Sequence, residues 1–297
     1  MSRGIKSIIL ATLLFSAMNV FVKTLSHLPV FEITMFRSFF TFITCYVLLK
    51  RKRLPLFGSR RPILFLRGLF GSISLILFFK SLQILPLATA TLVHYITPFF
   101  TTFFGFWFLG ERFYKIQWVF LLICFSGIYI TQSSNSTILE LNMSNLGVLS
   151  GLGACIAAAA AYNCIRKIGT SEDPNVILIY FSVITIPVSV VLLIVYGGFK
   201  WPTALDWFYL FCMGAFTQAA QYFMTLAYQN EKVGTIALYS NVGIVYAIIN
   251  GMIFFKEIPT PLAWIGISVV ATGLVLNLFS PFILSSLRNI TKRRVVD

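Results

Sequence analysis

The chain has 297 residues, 58% of them hydrophobic and 11% charged, with a mean hydropathy of +0.87 and a formal charge of +14. Soluble domains carry roughly a quarter charged residues, so the composition argues against one and for a chain that lives in lipid. Long unbroken apolar runs argue against a β-barrel, whose strands alternate, and leave the helix as the structure that satisfies its own backbone in a bilayer.

A spanning helix needs about 20 mostly apolar residues. In chain order the apolar runs predict ten: 4–25, 31–49, 62–84, 86–109, 115–132, 145–166, 175–197, 205–228, 233–255 and 261–283. The connections are short, which leaves no room for a soluble domain between them. The first run follows a basic start as a secretory signal does, but nine more runs follow and no small-residue cleavage site is evident, so it is read as a retained helix. Cys45, Cys124, Cys155, Cys164 and Cys212 all fall within predicted helices without CxxC spacing, so neither a disulfide framework nor a metal site or cofactor is expected.

The positive charge is not gathered as a nucleic-acid footprint; it follows the positive-inside rule. With the N-terminus in the cytoplasm, the inner segments hold Arg3, Lys6, Lys50 to Arg53, Arg60, Arg61, Arg112, Lys115, Arg166, Lys167, Lys232, Arg288 and Lys292 to Arg294. The outer ends hold only Lys23, Lys80, Lys200 and Lys256, and Arg37 and Arg67 lie within spans. A multi-pass inner-membrane protein with both termini cytoplasmic is predicted.

The chain repeats itself. A shift of 146 residues sets Gly68 on Gly214, Gln83 on Gln229, Thr89 on Thr235, Glu111 on Glu257, Trp118 on Trp264 and Gly127 on Gly273. Upstream the shift becomes 144, where Asn19 and Lys23 meet Asn163 and Lys167. Residues 1–135 and 136–297 are therefore read as two copies of five crossings each. An odd number of crossings makes the second copy enter from the opposite side, so the prediction is an all-α membrane protein of ten transmembrane helices in a 5+5 inverted repeat. A duplication that only supplies a stable bundle is the plainer reading.

The stretch RGLFGSISLILFFKSLQILPLATATLVHYITPFFTTFFGFWFLGER and its weaker echo IFFKEIPTPLAWIGISVVATGLVL resemble the EamA family of the drug/metabolite transporter superfamily. The resemblance runs through both halves. It implies ten helices with both termini inside and a small-molecule substrate, without fixing which, since members move amino acids, nucleosides, cofactors and other metabolites. RGLFGSISLILFFKSLQILPLA is similar to a subgroup that includes S-adenosylmethionine carriers.

Polar groups inside spans are costly and mark candidate sites. His94, with Tyr95 beside it and Pro98 a turn later, has Ser240 and Asn241 at the corresponding positions of the second copy, so both halves are expected to present polar groups to a shared chamber at that level. A packed core histidine is the plain alternative to a proton-coupling His94. Asn19, Tyr162, Asn163, Gln218, Gln221, Tyr222 and Tyr239 are further candidates for substrate contact, with Gln218 and Tyr222 on one helix face. Arg37 is divided between solute attraction and structural pairing with Glu32, and Arg67 is assigned to snorkelling toward the headgroups. Glu111 and Glu257 end equivalent helices, where a carboxylate wants a compensating cation such as Arg112 or Lys256; gating or end-capping is expected of them. The set favours a neutral or zwitterionic solute. No HExxH, GxSxG or P-loop occurs, so a secondary carrier, monomeric or homodimeric, is expected rather than an enzyme or an ATP-driven pump; a membrane channel or a membrane-embedded enzyme is the alternative.

Overall fold

Hydrocarbon offers the backbone no hydrogen-bond partner, and the chain answers with helices. The computed structural model describes residues 2–110, 116–132, 138–196, 198–231, 236, 239–240, 242–273 and 275–276, and among these no strand occurs. The helices are α1 (Arg3–Thr24), α2 (Val30–Arg51), α3 (Arg61–Ile84), α4 (Leu87–His94), α5 (Thr97–Leu109), α6 (Ile116–Gln132), α7 (Ile138–Ile168), α8 (Pro174–Tyr196), α9 (Ala204–Asn230), α10 (Val242–Phe255) and α11 (Pro261–Gly273). Of these, α1, α2, α3, α8 and the stretch Asn145–Ser171 are long and apolar enough to cross a membrane. Their starts follow local chemistry. Ser2 accepts from the Ile5 amide to cap α1, and Thr203 and Asp206 form a reciprocal capping box on α9.

The run predicted as one helix over 86–109 is two, α4 and α5, interrupted at Tyr95 and Ile96. Proline has no amide hydrogen, so Pro98 cannot bond the His94 carbonyl four residues back. That carbonyl accepts from the Thr97 hydroxyl and the Cys155 thiol instead.

The bundle is apolar outside and sets polar groups among the apolar side chains of its interior. Trp201 is 82% exposed and Ile194 76%, whereas Arg37, Arg67, Thr34, Ser72 and Thr217 are buried. Such a surface suits lipid tails and not water. With no hydrophobic drive between helices in lipid, packing and internal hydrogen bonds hold them together. Thr34 bonds Ser189 at 3.0 Å, Ser72 bonds Thr185 at 2.6 Å and the Ser74 hydroxyl donates to the Ala154 carbonyl.

Helix α1 lies against α9, α3 against α7 and α2 against α8, while α3 also meets α8 and α2 meets α9. Helices α6 and α11 approach backbone to backbone: a Cβ on Gly127 would lie 2.7 Å from the Gly266 carbonyl oxygen, and one on Gly273 3.1 Å from the Phe120 carbonyl. Polar stitches gather at the two ends of the bundle. At the arginine-rich end Lys52 pairs with Asp173, Glu172 accepts from the Ser59 and Arg60 amides, and Gln229 donates to the carbonyls of Gly169 and Glu172. At the other end Lys23 pairs with Glu257 and donates to the Leu85 carbonyl, Glu32 accepts from the Lys200 amide, and Asp206 pairs with His27.

Candidate functional site

Between those ends lies a buried cavity of about 150 Å³, room for about ten waters if each takes one probe sphere. Its polar walls come from α1 (Thr12, Asn19), α2 (Arg37), α3 (Arg67), the α4–α5 break (His94, Tyr95), α7 (Tyr162) and α9 (Gln221), with Ser240 beside them. Phe78, Phe79 and Phe181 supply aromatic walls, and among the described residues no acid lines the space.

Arg37 is 1% exposed and Arg67 2%. Both stack on the same ring: the guanidinium carbon of Arg37 is 5.3 Å from the centre of Phe181 and that of Arg67 5.0 Å, with Phe79 a further 5.7 Å from Arg37. Their hydrogen bonds are long, Arg37 Nε to Thr217 and Arg67 Nη2 to Gln221, each at 3.4 Å. Arg37 Nη1 and Arg67 Nε and Nη1 find no partner. Cation–π contacts return about 0.5–2 kcal/mol each, against several kcal/mol for taking each ion out of water. The protein alone undercompensates these two cations.

This corrects the sequence reading of Arg67. A snorkelling side chain on α3 would reach back toward the start of its helix. The Arg67 guanidinium instead runs one turn deeper, and a Cβ on Gly71 would sit 2.5 Å from its Nη1. Gly71 leaves the space the guanidinium fills. Pairing of Arg37 with Glu32 is likewise replaced: Glu32 accepts from Lys200 at the bundle end, and Arg37 points to Thr217 and Phe181.

Of the predicted contacts, the cavity brings together Asn19, Arg37, His94, Tyr95, Tyr162, Gln221 and Ser240. His94 packs on Phe78 with ring centres 4.3 Å apart and planes tilted by 35°, its Nδ1 unpartnered, and Tyr162 stacks on Tyr228 at 4.6 Å. Four others do not line it. Gln218 donates to Cys45 Sγ, and Asn163 donates to the carbonyls of Thr101 and Ala159. Tyr222 and Tyr239 pack against the apolar cluster around Cys45 and Leu49. Asn163 follows Tyr162 by one position, about a quarter turn round the helix, so Tyr162 faces the space while Asn163 faces a neighbouring helix; Gln218 and Gln221, three apart, lie on one broad face and are parted by what packs against each, Cys45 and Arg67. Glu111 and Asn241 lie outside the described residues. Glu257 finds its cation in Lys23, not Lys256, and accepts from the Leu87 amide, so it sits at the start of α4, the end of a helix that welcomes a negative charge. Sequence reasoning missed Arg67, Phe79 and Phe181 as cavity residues; the glycine one turn after Arg67 was the signal available.

A helical bundle with an apolar exterior and a buried polar chamber is the architecture of a membrane transporter. The chain belongs to the EamA-like transporter family, which matches it over residues 2–132 and 145–279. It is 30% identical over 268 residues to solute carrier family 35 member G1 of Mus musculus, covering 86% of this chain and 73% of that protein. It is 29% identical over 266 residues to the pseudopaline exporter CntI of Pseudomonas aeruginosa, covering 89% and 91%, and 27% identical over 259 residues to the S-adenosylmethionine uptake transporter of Rickettsia conorii, covering 86% and 85%. A protein of known crystal structure matches the fold with a TM-score of 0.70 at 18% identity, over 93% of this chain and 98% of that one.

Proposed function

We propose that the chain is a secondary carrier that moves a small polar solute across the inner membrane by alternating access, with ten crossings arranged as two inverted halves. The observation that carries the reading is the buried polar chamber whose walls come from both halves, Asn19, Arg37, Arg67 and His94 from one and Tyr162, Phe181, Gln221 and Ser240 from the other. Both ends beyond it are tied by hydrogen bonds and ion pairs, which must break in turn for a solute to enter and leave.

The helix contacts support the inverted halves. Exchanging α1 with α7, α2 with α8 and α3 with α9 turns the α1–α9 contact into α7–α3 and the α3–α8 contact into α9–α2, and both members of each pair occur. The α6–α11 crossing is reciprocal at the 146-residue shift. Gly127 abuts Gly266 and Val270 while Gly273 abuts Phe120 and Cys124, as expected where residue i meets j and j meets i about a two-fold axis. Grouping Lys52, Arg60, Lys167 and Arg3 at one end supports a cytoplasmic placing of that end and of both termini. A proton on His94 would be a third positive charge in a chamber that no acid among the described residues lines, so coupling through His94 requires that a negative solute arrive first.

Counterflow in proteoliposomes tests the carrier. With a panel of amino acids, nucleosides, S-adenosylmethionine and organic acids loaded inside, at least one labelled member is expected to show saturable exchange. A conductance that never saturates favours a channel and contradicts the proposal.

A further inference from the structure

Resting on the carrier reading, we infer that the solute is a compact organic anion bearing two carboxylates, one for each of Arg37 and Arg67. Each guanidinium is an always-charged fork of five donors whose geometry matches a carboxylate. Here both are at least 98% buried, both lean on Phe181, and three of their nitrogens are without a partner inside the chamber. Among the described residues no aspartate or glutamate lines the space to answer them.

Charge decides between solute classes. A neutral solute leaves two like charges facing one another in a low-dielectric space, and a zwitterion adds an ammonium to them. A single carboxylate cancels one charge of the two. Two carboxylates cancel both and supply the acceptors that Arg37 Nη1 and Arg67 Nε and Nη1 lack. The unpartnered Asn19 Oδ1 in the same chamber is an acceptor for a hydroxyl or amine on the solute backbone. A cavity of about 150 Å³ sets the size as small. The neutral or zwitterionic expectation rested on assigning Arg67 to the headgroups, and its burial beside Arg37 reverses that choice.

Succinate is the probe. The full chain is reconstituted with internal succinate, and uptake of labelled succinate is followed with leucine or inorganic phosphate as competitor. Unfolding temperature in detergent is read in parallel. Saturable succinate exchange, insensitive to leucine and phosphate, is expected to fall about 10- to 100-fold in Arg37→Gln and in Arg67→Gln, and succinate is expected to raise the unfolding temperature of the native chain but not of these variants. Should a glutamine variant misfold, Arg37→Lys and Arg67→Lys keep the charge without the fork and are expected to weaken exchange by about tenfold. Saturable exchange of leucine with none of succinate overturns the inference and leaves the carrier standing. Phosphate competing as well as succinate, or variants that exchange succinate normally, also overturns it. A succinate-dependent thermal shift without exchange supports the anion site and counts against the carrier.

Discussion

The cations of this chain live in two different worlds. At the ends of the bundle charges meet charges: Lys23 meets Glu257, Lys52 meets Asp173, and Asp206 meets His27. In the middle, where desolvation is worst, Arg37 and Arg67 have only aromatic faces and long bonds to Thr217 and Gln221. Among the described residues no acid lines the chamber. A stability-driven design would place an acid beside the most buried cation. Leaving the central pair unanswered makes sense where a solute is to answer it, so that the ends hold the fold and the middle stores demand for a ligand.

The largest contrast is expected between removing a central and an end cation. Arg67→Met is expected to abolish exchange while raising stability by about 1–4 kcal/mol, as when a buried charge gives way to an apolar side chain. Lys23→Met is expected to do the reverse to stability. It strands Glu257 with the Leu87 amide as its remaining partner and costs about 1–3 kcal/mol. Thermal unfolding of the two variants side by side reads the difference, and shifts of the same sign would erase the distinction between middle and ends.

The smallest effect belongs to the Lys52–Asp173 pair, whose lysine side chain is 45% exposed. Burial lifts the Asp173 carboxyl, but the hydrogen bonds from Lys52 and Asn175 outweigh it and hold the group below the ordinary aspartate range. Its bond to Asp173 holds the Lys52 ammonium above the ordinary lysine range. The carboxylate's contribution is therefore present above about pH 4 and is lost as pH falls through the lowered native value, and the ammonium's is lost only as pH rises past about 10. Asp173→Asn is expected to cost at most about 1 kcal/mol near neutrality, and the gap to the native chain is expected to close in acid. A gap that persists at low pH would mean that Asp173 acts through its neutral hydrogen bonds.

Much of this arrangement was legible in the residues. Apolar runs mark the long described helices α1, α2, α3 and α8, and His94 and Ser240, which the 146-residue shift aligns, both line the cavity. Pro98 announced the break that splits the fourth run, although its carbonyl partners, Thr97 and Cys155, depend on how α7 packs. What stayed hidden was rotation and reach. Gln218 and Gln221 are three residues apart on one helix, and only the positions of α2 and α3 decide that one meets Cys45 and the other Arg67. Depth along α3 placed Arg67 within reach of the headgroups, while the direction of its side chain, made possible by Gly71, turned it inward.

The central claim is that this chamber opens alternately to each side, and a thiol placed in its wall tests that most directly. Ser74 lines the space and is 8% exposed, and Ser74→Cys, with the half-buried Cys164 and Cys212 changed to serine, adds a near-isosteric probe to the wall. An impermeant thiol reagent is expected to reach it slowly from either face of oriented vesicles, and a transported solute is expected to slow the labelling from both. Labelling from one face only, whatever solute is present, would contradict alternating access.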